Sequence, residues 1–231
     1  MHHACAGIAE IAINLNIAAD ITVDTLCDWA AKTKNNYFKV EDLPNIANGN
    51  DTIVTFKVKN NNDIVNLVFS QKTLINNCEV FKSMLTSGFK ESKNNEISLT
   101  DVCESGLRYF LYIIILKANN NLKNIPLVDD IQMALEAYKL SLKYMIPDIE
   151  IYLLSLIKYL VCDKTVLAIF KWSLKNFNQD LLETTIIYFL TATIDNKIRA
   201  KLFRDANQCE YRKQWINSIK EAILFKCPRQ Q

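Results

Sequence analysis

QKTLINNCEVFKSMLTSGFKESKNNEISLTDV is the stretch, residues 71–102, that decides the fold of this chain. Asn76 and Glu79 have the spacing of a capping box, which predicts a helix that begins near Asn76. Gly88 predicts the end of that helix, because glycine adopts the left-handed conformation without steric cost. Phe89 follows at a position from which an apolar side chain can close over the helix end. The apolar face of the predicted helix carries Val80, Phe81, Met84 and Leu85.

The second half of the stretch predicts a short strand and another helix. After a polar loop at residues 93–95, Ile97 and Leu99 alternate with polar residues, as in a half-buried strand. Asp101, with a glutamate three residues later, has the spacing that opens a helix over residues 102–116. The inner face of that helix is predicted to carry Leu107, Phe110, Leu111 and Ile114.

Residues 51–69, which precede this stretch, predict a β-hairpin. Two runs of alternating apolar and polar residues flank a polar turn at residues 60–63. The apolar positions are Val54, Phe56 and Val58 in the first run and Val65, Leu67 and Phe69 in the second. Such alternation is typical of an antiparallel sheet with one buried face.

From Val128 onward the sequence predicts one helix after another. The first has an apolar stripe of Ile131, Ala134, Leu135, Tyr138, Leu142 and Met145. Pro147 suits the first position of the next helix, whose stripe is Ile151, Leu154, Ile157 and Val161. Asp163 is expected to cap a third helix, with Val166, Ile169, Phe170, Leu174 and Phe177 at helical spacing. Further helices are expected at residues 181–194 and 208–225.

Four short motifs stand in the order found in one protein family. They are QKTL at residues 71–74, FKSM at 81–84, FKES at 89–92 and ISLTDV at 97–102. In this order they resemble the BTB/POZ domain, and the helices after residue 162 resemble the BACK extension that follows many such domains. The resemblance implies an α/β (α+β) fold, in which a small sheet flanked by helices is followed by an all-α helical tail.

The expected organisation has four parts. Residues 1–35 hold Ala-rich N-terminal helices, residues 36–50 form a linker, residues 51–162 form the BTB/POZ domain and residues 163–227 form the BACK-like region. The Ala-rich helices resemble the tail of an armadillo-type array, whose helical layers pack through small residues. The alternative is an extension that packs on the BTB core or across a dimer.

The composition is that of a globular protein. Half of the residues are apolar, 23% are charged and the net charge is +2, which does not imply nucleic acid or an acidic membrane as a partner. No apolar run approaches the roughly 18 residues that span a bilayer, and the first residues lack the features of a signal peptide. We therefore expect an intracellular protein, cytoplasmic or nuclear, that binds neither nucleic acid nor membrane.

The sequence offers little for catalysis or metal binding. Its seven cysteines include no C-x-x-C pair, and its only histidines are His2 and His3, which argues against a zinc site or a histidine-based triad. The positions of the four glycines exclude both phosphate-binding loop patterns. We expect no enzyme activity, no catalytic residue, no cofactor and no metal.

The resemblance implies a protein-interaction function. BTB adaptors of cullin-3 RING ubiquitin ligases carry a hydrophobic-x-Glu motif after the F-x-x-M helix, and FKE at residues 89–91 matches it. The implied cullin-binding residues are Phe81, Met84, Leu85, Phe89, Lys90 and Glu91. The other implied partners are a substrate protein and a second copy of the chain. The alternative is a structural homodimerisation module of an armadillo–BTB protein with no ligase role, in which Phe89 packs inward as a helix cap.

Overall fold

A computed structural model describes residues 51–60 and 63–191 of the chain. The predicted helices and linker in residues 1–50, the hairpin tip at residues 61–62 and the predicted helix at 208–225 lie outside these residues. The chain divides into two compact units between Leu156 and Ile157.

The first unit contains a three-stranded mixed sheet with strand order β2-β1-β3. Strand β1 is Ile53–Asn60, β2 is Asp63–Ser70 and β3 is Glu96–Leu99. β1 pairs antiparallel with β2 and parallel with β3. The predicted hairpin and the predicted short strand are therefore confirmed.

One face of this sheet is buried. Its apolar residues alternate along each strand as predicted, because successive strand side chains point to opposite faces. The buried residues are Val54, Phe56, Val58, Leu67, Phe69, Ile97 and Leu99. Val65 is half-buried.

Six α-helices of the described chain lie between β2 and residue 160. They are α1 (Gln71–Asn77), α2 (Glu79–Thr86), α3 (Lys90–Asn94), α4 (Glu104–Ala118), α5 (Ile131–Lys143) and α6 (Pro147–Tyr159). The short helix α3 corrects the polar loop that we predicted at residues 93–95. It ends at Asn95, which has a φ of 52°, a left-handed conformation that asparagine tolerates better than most residues. The predicted inner face of α4 is buried throughout.

The N-terminal caps of α2 and α4 are cysteines, which corrects two predictions. The Sγ atoms of Cys78 and Cys103 each accept a hydrogen bond from the N–H three residues further along, at 3.4 Å. Asn76 lies inside α1 instead, and Asp101 pairs with lysine side chains. Ser, Thr, Asn and Asp are the residues that usually cap helices. The prediction therefore selected Asn76 and Asp101, which have side-chain oxygens, instead of the nearby cysteines.

The apolar stripe predicted on α5 is buried only over the first half of the helix. There the buried members are Ile131, Ala134, Leu135 and Tyr138. Leu142 and Met145 are exposed, so the prediction is wrong at both positions. The helix ends at Lys143 and the chain then turns, which buries Tyr144 and Ile146 in their place.

Helix α6 begins at Pro147, as predicted. Its buried face differs from the predicted one, because it is made by Ile149, Leu153, Leu156 and Ile157. Of the predicted residues only Ile157 is buried, whereas Leu154 and Val161 are half-buried and Ile151 is exposed.

The second unit contains α7 (Val166–Lys175) and α8 (Gln179–Thr191) among its described residues. Thr165 precedes α7, so the predicted cap at Asp163 is wrong. Asp163 accepts a hydrogen bond from the Tyr188 hydroxyl at 2.8 Å instead, and burial together with this bond raises the pKa of Tyr188 to about 12. The predicted stripe on α7 is buried except at Phe177, which lies beyond the helix end and is 62% exposed.

Gly106 allows α4 and α5 to approach each other closely. A Cβ atom at this position would lie 2.5 Å from the Glu136 Cβ atom and 3.2 Å from the Cys103 Sγ atom. The first distance is too short for two carbon atoms, so an added side chain must push the helices apart.

The variant Gly106→Ala should therefore lower the free energy of unfolding by about 2 kcal/mol. Urea denaturation monitored by circular dichroism measures this change. Gly88→Ala is the matched control. Gly88 has a φ of +77°, but an added Cβ atom there meets nothing within 4 Å. Its loss of about 1 kcal/mol should come from backbone strain alone. A Gly106→Ala chain as stable as the wild type would contradict the close approach.

Candidate partner-binding surface

The residues predicted to bind a partner do not all reach the surface. Phe81 and Leu85 are buried. Their place is behind the surface, where they hold α2 against the core.

The remaining predicted residues are accessible. Phe89 is 55% exposed and Lys90 is exposed, whereas Met84 and Glu91 are half-buried. A phenylalanine packed inward as a helix cap would be largely buried. Phe89 is therefore not packed inward.

The backbone at residues 87–91, called here the Phe89 corner, forms a hydrogen-bonded turn. The N–H of Ser87 closes α2 by donating to the Ser83 carbonyl at 3.1 Å. Gly88 then takes the left-handed conformation, with φ of +77°, as predicted. Phe89 is the N-cap residue of α3, and its carbonyl accepts hydrogen bonds from the N–H and the hydroxyl of Ser92 at 3.1 and 2.8 Å. The aromatic side chain thus leaves a tight turn between two helices.

An aromatic stack supports α2 from behind. The Phe81 ring stacks on the Tyr144 ring with centroids 4.1 Å apart, and it meets the Phe56 ring edge-on at 6.0 Å. Phe110 of α4 lies on the Tyr144 ring at 6.0 Å. The sheet, α2, α4 and the end of α5 are therefore joined through one group of rings, which the sequence pattern did not reveal at Tyr144.

Cys78 adds a polar link between α2 and the end of α5. Its thiol donates to the Tyr144 carbonyl at 3.3 Å while its sulfur caps α2. Burial raises the pKa of Cys78, although hydrogen bonds from the backbone partly oppose this. The group therefore stays a protonated thiol that can donate.

Charged residues from several elements surround Tyr144. Burial is the main cause that raises the pKa of its phenol, and the carboxylates of Asp101 and Glu91 raise this pKa further.

Asp101 is held by two lysines of α5. Its carboxylate lies 2.9 Å from the Lys139 Nζ atom and 3.8 Å from the Lys143 Nζ atom, and Lys139 also donates to the Asp101 carbonyl at 2.9 Å. The hydrogen bond from Lys139 lowers the pKa of Asp101. Asp101, the fifth residue of the motif ISLTDV, thus ties the turn between β3 and α4 to α5.

Met145 is an exposed residue that the sequence pattern placed in the core. It is 76% exposed and has a φ of 53°. The N–H groups of Met145 and Ile146 donate to the Leu142 and Ser141 carbonyls at 3.2 and 3.0 Å, which closes α5 in the manner usually reserved for glycine. Pro147, two residues after Met145, was the sequence feature that could have predicted this helix end, since proline often follows such an end.

Other kinds of site find no support in the part of the chain that the structure describes. No group of three or more His, Cys, Asp or Glu side chains there could hold a metal ion. Within the same residues, no helix combines the length and the apolar character needed to cross a membrane.

No protein-family model matches this chain, and no curated protein matches its sequence.

The pairing of Asp101 predicts a pH-dependent stability. Because its pKa is lower in the folded chain than in the unfolded chain, the pair stabilises the fold above the ordinary pKa of aspartate. The stabilisation is lost as the pH falls through the folded-state value. Since the carboxylate is 51% exposed, Asp101→Asn should lower the free energy of unfolding by less than about 1 kcal/mol at pH 7.

Urea denaturation at neutral and at strongly acidic pH measures this effect. The variant and the wild type should differ at neutral pH and become equal in acid. Asp129→Asn, at an exposed aspartate outside this cluster, is the control and should change little at either pH. A difference for Asp101→Asn that persists unchanged in acid would contradict the role of its charge.

The backbone of Met145 predicts a stabilising substitution. Met145→Gly should raise the free energy of unfolding by about 1 kcal/mol, because glycine adopts the left-handed conformation without strain. Asn120 is the matched control, since it has a φ of 53° at the end of α4 but belongs to a residue type that tolerates this conformation. Thermal unfolding should show a smaller gain for Asn120→Gly than for Met145→Gly, and equal gains would argue against strain at Met145.

Proposed function

We propose that this chain is a protein-interaction module of the BTB/POZ type, which links a substrate protein to a cullin-3 RING ubiquitin ligase. The order of elements supports the proposal, because a hairpin, two short helices, the Phe89 corner, a short parallel strand and a further helix occur where the BTB-like motifs stand. The helices α7 and α8, which follow residue 162, support a BACK-like region in that part of the chain. Such an adaptor acts inside the cell, in the cytoplasm or the nucleus.

The observation that carries the proposal is the exposure of Phe89. A large aromatic side chain is 55% exposed in a turn whose backbone is fixed by hydrogen bonds. Exposed aromatic residues on rigid supports are the usual anchors of protein interfaces, because they bury a large apolar area at a small loss of conformational entropy. A cleft of apolar residues on the cullin scaffold would receive it.

The neighbours of Phe89 suit the edge of such an interface. Lys90 is exposed and Glu91 is half-buried in the first turn of α3. Charged residues around an apolar anchor exclude water and set specificity more than they add affinity. We therefore assign Phe89 the main energetic role, Glu91 a role in orientation, and Phe81 and Leu85 a supporting role in the core.

Self-association without a ligase role is the second candidate function. The observation that favours it is the outer edge of β2, which no described strand covers. It does not account for the exposure of Phe89, and self-association at β2 is compatible with an adaptor role.

Binding of the purified chain to the N-terminal domain of cullin-3, measured by isothermal titration calorimetry, tests the proposal. Phe89→Ala should weaken binding by at least about tenfold, because the anchor of the interface is removed. Glu91→Ala should weaken binding less, and the double variant should abolish measurable binding.

Phe177→Ala is the matched control, since Phe177 is an equally exposed phenylalanine, at 62%, in a left-handed turn of the second unit. It should leave the affinity unchanged. Circular dichroism must show that each variant is folded. A folded wild-type chain that does not bind, or a Phe89→Ala chain that binds as tightly as wild type, would refute the adaptor role.

A further inference from the structure

Met145 is the most exposed large apolar residue in the part of the chain that the structure describes. Its side chain is 76% exposed, although Tyr144 and Ile146 on either side of it are buried. Leu142, whose carbonyl accepts a hydrogen bond from the Met145 N–H at 3.2 Å, is also exposed. Leu142 and Met145, called here the α5-end pair, therefore place two neighbouring apolar side chains in water.

The backbone conformation of Met145 is unfavourable for a methionine. Its φ of 53° lies in the left-handed region, which is costly for a residue that has a Cβ atom and no local hydrogen-bonding side chain. Helices α3 and α4 are followed in this conformation by Asn95 and Asn120, which belong to a residue type that tolerates it. Strained residues cluster at functional sites, so the thioether of Met145 is a candidate for a chemical role.

The other methionines of the described chain are less accessible. Met133 of α5 is 9% exposed and Met84 of α2 is half-buried. An oxidant must reach the sulfur atom before it can react, so burial slows the oxidation of a thioether. Met145 is therefore the methionine of the described residues that an oxidant in solution reaches most easily.

We propose that Met145 is a site of reversible oxidation by hydrogen peroxide. A lone pair of the sulfur attacks one peroxide oxygen, an S–O bond forms as the O–O bond breaks, and the other oxygen leaves as water. The sulfur loses two electrons to the peroxide and becomes a sulfoxide. A methionine sulfoxide reductase reverses the step with two electrons from a dithiol, which becomes a disulfide while the oxygen leaves as water.

The surroundings of Met145 suit a modification that leaves the fold intact. The hydrogen bonds that close α5 at this point are donated by the backbone N–H groups of Met145 and Ile146, so neither of them uses the sulfur atom. The stacked rings of Tyr144 and Phe81 are buried and do not depend on an exposed side chain. Oxidation of Met133 would instead place a polar group in the core, where it lacks water as a partner.

The chemical change falls on the surface at the end of α5. Methionine is a flexible apolar residue that is used often at binding surfaces, whereas its sulfoxide is polar. Oxidation removes the more exposed apolar member of the α5-end pair and leaves Leu142, which is 39% exposed. The surface is then less favourable for contact with an apolar partner.

The test uses hydrogen peroxide and the full 231-residue chain, and it does not involve cullin-3. The exposed thiols of Cys103 and Cys162 compete for peroxide. The reaction is therefore run at about pH 5, because the reactive form of cysteine is the thiolate, which forms little in acid. Peptide mass spectrometry follows the added oxygen at each methionine.

Met145 should oxidise at least about tenfold faster than Met133, because of its exposure, and Met84 should react at an intermediate rate. The same reaction in concentrated urea is the control for the effect of the fold. Once the chain is unfolded, the rates at the three methionines should become similar.

Hydrophobic-interaction chromatography measures the change of the surface. The chain oxidised at Met145 should elute earlier than the untreated chain. Met145→Gln, which places a polar side chain of similar length at this position, should elute early without peroxide. Met145→Leu is the matched control. It should elute with the untreated wild type and should lose most of the shift that peroxide causes.

Urea denaturation and enzymatic reduction complete the test. The midpoint of denaturation should be unchanged after oxidation at Met145. The two types of methionine sulfoxide reductase, one for each sulfoxide epimer, should restore the thioether and the original elution in the presence of dithiothreitol. Three results would overturn the inference. They are a Met145 that oxidises no faster than Met133, a clearly lower midpoint for the oxidised chain, and a sulfoxide that the reductases leave in place.

Discussion

The stacking of Tyr144 on Phe81 is the interaction on which the first unit depends. The rings lie 4.1 Å apart, and through Phe56 and Phe110 they reach the sheet and α4. Aromatic rings bury large areas and gain further stability from preferred mutual orientations. Because Tyr144 follows directly after α5, this stack also determines where α5 ends and how the next segment turns. The Phe89 corner directly follows α2, which these ring contacts hold in place at Phe81.

Period-two alternation made the sheet the most predictable part of the chain. Val54 and Phe69 could be assigned to the buried face because a shift of one residue would expose every apolar side chain in the strand. Ile97 and Leu99 followed the same rule in β3. The end of α2 was equally readable, since only glycine reaches the conformation of Gly88 without strain.

Helix starts and helix ends were less predictable, because tertiary contacts overrode the local rules. The thiol of Cys78 caps α2, whereas the capping-box spacing predicted that this helix begins near Asn76. Met145 continued the helical spacing of α5, but the burial of Tyr144 ended the helix before that position. At the candidate surface, the sequence located Phe89 and could not separate the exposed residues from the buried Phe81. Burial depends on what packs against α2 from a distant part of the chain.

Cys78 joins two segments that lie 66 residues apart in the sequence. Its sulfur accepts a hydrogen bond from the N–H of Phe81 in the first turn of α2, and its thiol donates a hydrogen bond to the carbonyl of Tyr144. Fraying at the start of α2 or at the end of α5 would therefore break a hydrogen bond of the Cys78 thiol group. Native-state proteins open in cooperative units that share such contacts. The start of α2 and the end of α5 therefore form one unit of opening, although many residues and several elements separate them along the chain.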